Sequence, residues 1–236
     1  MSNKGQYAKF PFISGDNLNE ATPFTPTTTS STNQIRDSII SNCTTKSDGT
    51  ADAELAAAAD SLLQLYADDP VVGSPSETGN ETFGFSSQYK RNSALTGDLM
   101  FHSVRRLWTQ KAVQTGVKAP GYLFTGPRPV FIAPNLGAPL VPYGLELDYL
   151  FGRLSSARGS STDIALADKM MDYWISFATS LDLKDGKGTP GPVWPEYTAS
   201  DAFLLQLNAN DVTTITDAHK NAGIEFMYNN VVLFRH

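Results

Sequence analysis

Proton transfer and nucleophilic attack need particular side chains, and this 236-residue sequence is sparing with them. Its histidines are His102, His219 and His236, and its one cysteine is Cys43. Imidazole is the group best suited to take and return a proton near neutral pH. No two of the histidines stand four apart, and no His-Glu-x-x-His string occurs, which argues against a histidine-based metal site. A single cysteine excludes an intrachain disulfide and a cysteine-rich zinc site. Cys43 reads as a lone buried or loop thiol rather than a nucleophile. Asp68-Asp69 ends a helix before Pro70 and lacks further ligands at any calcium-loop spacing. The serine elbow Gly-x-Ser-x-Gly is absent, and its nearest approach, Gly73-Ser-Pro-Ser76, lacks the closing glycine. Taken alone, Glu20 is a loop glutamate on a turn, and Tyr143 is a loop aromatic. A phenol titrates near 10, too high for a base at neutral pH.

The elements that must carry these residues follow from hydrophobic spacing. Residues 7–14 read as a short buried strand that ends at Gly15. A Pro/Thr/Ser loop over 22–33 precedes a short helix with Ile35, Ile39 and Ile40, capped by Thr32 or Asn33. The Ala-rich stretch 51–67 predicts a helix whose inner face is Leu55, Ala58, Ala59, Leu62, Leu63 and Tyr66. It stops at Asp68-Asp69-Pro70, because the residue before proline avoids the helical region. Residues 71–85 are loop. Residues 86–116 form one long helix or two, with Leu95, Leu99, Val104 and Trp108 on the apolar stripe and Gly116 as the stop. A strand at 121–125 leads into a Pro-rich loop from Gly126 to Gly144. Residues 163–181 give the clearest amphipathic helix, with Ser161 or Thr162 as the cap. Then come a loop over 182–200, a strand at 202–207 and a final helix over 213–228. Mixed strands and helices in this order predict an α/β or α+β domain, and the length allows one large domain or two small ones.

Composition removes whole classes of function. The net charge is −6 and no Lys/Arg run exceeds two residues, which argues against a nucleic-acid partner. No apolar run approaches the length of a membrane span, and no signal peptide is visible at the start. With 41% hydrophobic and 11% aromatic residues, wholesale disorder is excluded. Charged residues are only 18%, and Ser and Thr take their place, a style suited to the outside of the cell. The two sequons at Asn42 and Asn80 are no more than chance supplies.

Seven segments in order resemble one family. They are residues 4–20 ending in Asn17-Leu-Asn-Glu20, then Tyr66-Ala-Asp-Asp-Pro70, Gln88-Tyr-Lys-Arg91, Gly97-Asp-Leu-Met-Phe101 with Arg105-Arg106, Glu146-Leu-Asp-Tyr-Leu-Phe-Gly152, Met171-Asp-Tyr-Trp-Ile-Ser-Phe-Ala178 with Leu181-Asp182, and Trp194-Pro-Glu-Tyr197. Together they are similar to the type-B carboxylesterases and lipases, the cholinesterase and fungal lipase group, which is built on the α/β-hydrolase fold. The resemblance covers nearly all 236 residues but only the C-terminal portion of the family domain. It implies the last strands and helices of a mostly parallel sheet, incomplete by itself.

The family hydrolyses carboxylic esters with a Ser, Glu, His triad through an acyl-enzyme. Glu20 falls on the triad acid, although Asn19 stands where the pattern has Asp and Ala21 where it has Gly. Tyr143 falls on the base position, where the family has histidine. With neither serine elbow nor histidine, the chain is expected to be inactive by itself. A small-molecule or lipid ester substrate and secretion are implied, and no cofactor is. Two other readings stand beside this one. The first is a non-catalytic binding or adhesion protein on the same fold, favoured by Tyr143. The second is an incomplete gene model, favoured by a start just before a strand that needs parallel neighbours. Oligomeric state has no signal here.

Overall fold

A computed structural model describes residues 8–46, 52–126, 141–154, 159–183 and 187–235. These fall into two units. One takes the described residues of Met1–Leu18, Arg105–Phe131 and Tyr143–His219, and the other those of Asn19–Val104, Ile132–Pro142 and Lys220–His236.

The first unit is built on a four-stranded sheet. Its strands are β1 (Ser14–Asn17), β2 (Gly121–Phe124), β3 (Phe203–Leu207) and β4 (Thr213–Thr216), in the order β1-β2-β3-β4. The first three are parallel and β4 is antiparallel. Parallel strands are covered on both faces and read as apolar runs, as Tyr-Leu-Phe of β2 and Phe-Leu-Leu of β3 do. Gly15 pairs with Tyr122, and any Cβ at Gly15 would lie 2.2 Å from the Tyr122 ring, so only glycine fits this register. The Tyr122 ring meets Trp174 and Trp194 edge-on, at centroid distances of 5.4 and 6.3 Å. Trp194 Nε1 donates to Gly121 O at 3.0 Å, which fixes the loop carrying Trp194-Pro-Glu-Tyr197 against β2.

Helix α6 (Ser161–Ser180) supplies Trp174. Its cap is Ser160, one residue before the expected ones, because Ser160 and Asp163 form a reciprocal capping box. A short helix, α5 (Glu146–Leu150), places Tyr149 over Phe124, where its hydroxyl donates to Asp163. Two expectations are corrected. The first strand is Ser14–Asn17 rather than 7–14. The expected last helix over 213–228 divides into β4 and α7 (Asn221–Asn229), since β-branched Thr-Thr-Ile-Thr prefers a strand.

The second unit is helical. Its elements are α1 (Thr32–Cys43), α2 (Ala53–Leu65), a 3₁₀ turn at Pro70–Val72, α3 (Tyr89–Gly97), a π-helical turn at Asp98–His102, and α7. The next helix, α4 (Ser103–Gln114), belongs to this unit only through Ser103 and Val104. So the stretch 86–116, expected as one long helix or two, is three helical pieces. The core is aliphatic, with Ile35, Ile39, Leu55, Leu62, Leu63, Leu95 and Met227 buried together. Small Ala58 and Ala59 on α2 permit close approach of its neighbours. Arg91 closes the C-terminal end of α2 by donating to Leu63 O and Tyr66 O, both at 2.7 Å. Ser31, not Thr32 or Asn33, caps α1. Most of the Pro-rich loop expected between Gly126 and Gly144 lies outside the described residues.

Candidate active site

In an open parallel sheet, functional groups gather beyond the C-terminal ends of the strands. Glu20 lies three residues past the end of β1 and is only 5% exposed. The turn that holds it is built by local side-chain bonds, as Thr-rich loops favour. Thr22 Oγ1 donates to Asn19 O at 3.0 Å, and Thr25 Oγ1 donates to Ala21 O at 2.8 Å. Tyr89 Oη donates to Thr22 O at 2.9 Å, tying the turn to α3. Ala21 is fully buried and lies opposite Gly97.

The change from Asp to Asn at position 19 has a structural counterpart. Asn19 Nδ2 donates to the hydroxyls of Ser74 and Ser76, at 3.3 and 3.4 Å. A carboxylate could only accept there. The Gly73-Ser-Pro-Ser76 string thus supports the Glu20 turn from a segment that follows a 3₁₀ turn, where an elbow would follow a strand. The Asn19 backbone N–H donates to Val141 O at 3.0 Å, two residues before Tyr143.

Tyr143 is 56% exposed, next to Gly144 with φ +76°. The glycine lets the chain turn into α5, whose first residue is Glu146. Asn17, the last residue of β1, donates its amide to the Glu146 carboxylate. Sequence reasoning missed this pair, although both residues stand in segments that carry the family resemblance. Burial pushes the Glu146 carboxyl above its ordinary range, the Asn17 bond opposes that, and the charge of Asp16 adds to it. Glu20 and Tyr143 belong to different units, and the structure defines the surroundings of each separately.

The strongest polar cluster was also missed. Arg105 Nε donates to Asp16 at 2.8 Å, and its two terminal nitrogens grip Asp217 at 2.6 and 2.8 Å. Arg106 and the Tyr197 hydroxyl complete the shell of Asp217, at 3.1 and 2.8 Å. Burial alone would push the Asp217 carboxyl up, but Arg105, Arg106 and Tyr197 hold it well below the usual range. Arg105-Arg106 and Tyr197 stood in the quoted motifs, while Asp217 carried no signal. Asp16 precedes Asn17, so this cluster clamps the strand that leads to the Glu20 turn.

His102 is buried on the π-helical turn, and the backbone carbonyl of His219 accepts from Arg106 at 3.1 Å. His236 lies outside the described residues. Cys43 is buried, and burial pushes its thiol up against the opposing charge of Arg235, a poor setting for a thiolate. Among the described residues no three His, Cys, Asp or Glu side chains converge on a metal position. No described helix is long and apolar enough to cross a membrane.

A model of the carboxylesterase family matches residues 1–227. Secreted lipase 1 of Botryotinia fuckeliana is 26% identical over 238 residues, which cover 98% of this chain and 37% of that protein. Lipase 2 of Geotrichum candidum is 29% identical over 235 residues, covering 98% of this chain and 36% of that one. The crystal structure of Aspergillus niger EstA superposes with a TM-score of 0.75 at 19% identity, over 98% of this chain and 42% of EstA. The chain therefore spans well under half the length of these relatives. The mostly parallel sheet with flanking helices is that of an α/β-hydrolase, as the resemblance implied.

Proposed function

The chain belongs to the carboxylesterase family, and from that premise we propose that residues 1–236 are the C-terminal portion of a type-B carboxylesterase domain, with Glu20 as its triad acid. The observation that carries this reading is a buried carboxylate held on a braced turn just past a parallel strand. In the complete reaction a serine attacks the ester carbonyl and a histidine takes the serine proton. The carboxylate accepts from the histidine ring N–H, fixes its tautomer and stabilises the cation that forms. The leaving alcohol then takes that proton, and water cleaves the acyl-enzyme by the same relay. Glu20 supplies the carboxylate step. Tyr143 stands in the base position, where the relay calls for an imidazole. The substrate is a small-molecule or lipid ester, and the setting is extracellular, in line with the secreted lipase among its relatives.

A chimera tests this. Residues 1–227 replace the matching segment of Geotrichum candidum lipase 2, and p-nitrophenyl butyrate turnover is measured. The chimera with Tyr143 is inactive, and Tyr143→His restores turnover. Adding Glu20→Gln to the restored chimera lowers kcat by at least about 10²-fold, by analogy with loss of a triad carboxylate. Full turnover in the Glu20→Gln form removes Glu20 from the triad. Exposure of Tyr143 favours a second reading, a non-catalytic binding protein on the same fold. Turnover by the 236-residue chain itself overturns both readings, since the chain carries no serine elbow.

A further inference from the structure

The helical unit holds a cavity of about 460 Å³, inside the range of small-ligand pockets, about 300–1,000 Å³. Ile39, Leu95, Leu99 and Val104 give it one aliphatic wall, the first three of them buried, and Ser38, Asn42, Asn92 and Thr96 line it beside them. Met100 joins them from the π-helical turn and is 51% exposed. That turn closes with the Ser103 N–H on Asp98 O, which bulges the helix and presents Met100 at the cavity mouth. Single π turns are frequent at functional sites, and methionine suits a wall that adapts to what it meets.

Recognition of charge in this cavity falls to one group. Arg235 is the only charged residue among those lining it. Its guanidinium reaches Thr44 O at 3.4 Å and forms no ion pair among the described residues. The lining amide of Asn92 is already engaged, donating to Thr29 and accepting from Thr96. An aliphatic wall with one unspent cation at the rim complements a molecule that is apolar along its length and anionic at one end. The guanidinium fork matches a planar carboxylate. We propose that this cavity binds an aliphatic monocarboxylate of the fatty-acid type, its carboxylate on Arg235 and its chain against Leu99 and Met100. The inference does not depend on the ester reading.

Calorimetric titration of the full chain with sodium decanoate, below its micelle concentration, tests it. One site is expected. Octanoate, two methylenes shorter, binds about fifteen-fold more weakly. Arg235→Gln weakens decanoate by at least about ten-fold and leaves 1-octanol binding unchanged. Met100→Glu, which places a carboxylate in the chain path, removes both ligands. Both substituted side chains are exposed, and an unchanged thermal midpoint confirms that each variant folds. Absence of decanoate binding, decanoate binding unchanged by both substitutions, or equal loss of decanoate and 1-octanol in Arg235→Gln overturns the proposal.

Discussion

Arg105 and Arg91 are both nearly buried, at 7% and 9% exposure, yet their surroundings are opposite. Arg105, in the sheet unit, is wrapped by two carboxylates, Asp16 and Asp217. Arg91, in the helical unit, is bound by the carbonyls of Leu63 and Tyr66 and by the side chains of Thr32 and Gln88, all neutral. Among the described residues no carboxylate pairs with it. Its charge is balanced by the negative end of α2, where the last carbonyls of the helix point. The first arginine is an electrostatic knot between distant strands. The second is a helix cap on a long stem. A buried charge that is paired fails badly when one partner goes, because the other is stranded. A cap that is lost leaves only carbonyls to rehydrate.

The largest expected effect breaks the knot. Arg105→Met leaves Asp16 and Asp217 buried with Arg106 alone, at a cost of about 3–5 kcal/mol. Arg91→Met costs less, about 2–3 kcal/mol. Urea denaturation of both variants at pH 7 orders them, and an equal or larger loss for Arg91→Met would dissolve the contrast. Acid gives the next effect. Asp217 has a folded pKa below its unfolded value, so its stabilisation is complete above the unfolded carboxylate range, about pH 4, and is lost as pH falls further. Hydrogen exchange then shows β2 and β3 amides losing protection below about pH 4 while α2 amides, whose cap has no titrating partner, keep theirs. Parallel loss in both units counts against the assignment.

The smallest effect has the opposite sign. The Glu146 carboxyl has a folded pKa above its unfolded value. Its contribution to stability is therefore present below about pH 4 and lost as pH rises through the folded value. Glu146→Gln keeps an acceptor for Asn17 and removes the buried charge. It is more stable than the parent at pH 8 by about 1 kcal/mol or less, and equal to it at pH 4. Thermal midpoints at the two pH values decide this, and a destabilised variant at pH 8 would mean that the charged form is the one the site prefers.

Much of the fold was legible where the signal is local. The spacing of Leu55, Ala58, Ala59, Leu62 and Leu63 found α2, and that of Ile164 to Leu181 found α6. Strands β2 and β3 announced themselves as short apolar runs. Strand β1 did not, because Phe10 and Phe12 drew attention upstream. Phe10 is 75% exposed, and the true strand, Ser-Gly-Asp-Asn, owes its place to non-local demands. Gly15 yields to the Tyr122 ring and Asp16 answers Arg105, partners about 90 to 110 residues away in sequence. The π-helical turn and the Arg105–Asp217 pair left no periodic trace for the same reason. Glu20 was visible only through the family resemblance, since an isolated loop glutamate has no pattern of its own.

The last strand has a consequence for how the folded chain behaves in a crowd. Strand β4 is four residues long, and among the described residues β3 is its one neighbour. It alternates half-buried and exposed positions and carries three threonines. A border so short and so rich in hydroxyls offers little to a foreign segment seeking to extend the ladder. On that side the protein resists fibril growth, so a screen for fibril-prone substitutions should find its strongest hits where Thr214 or Thr216 becomes valine or isoleucine.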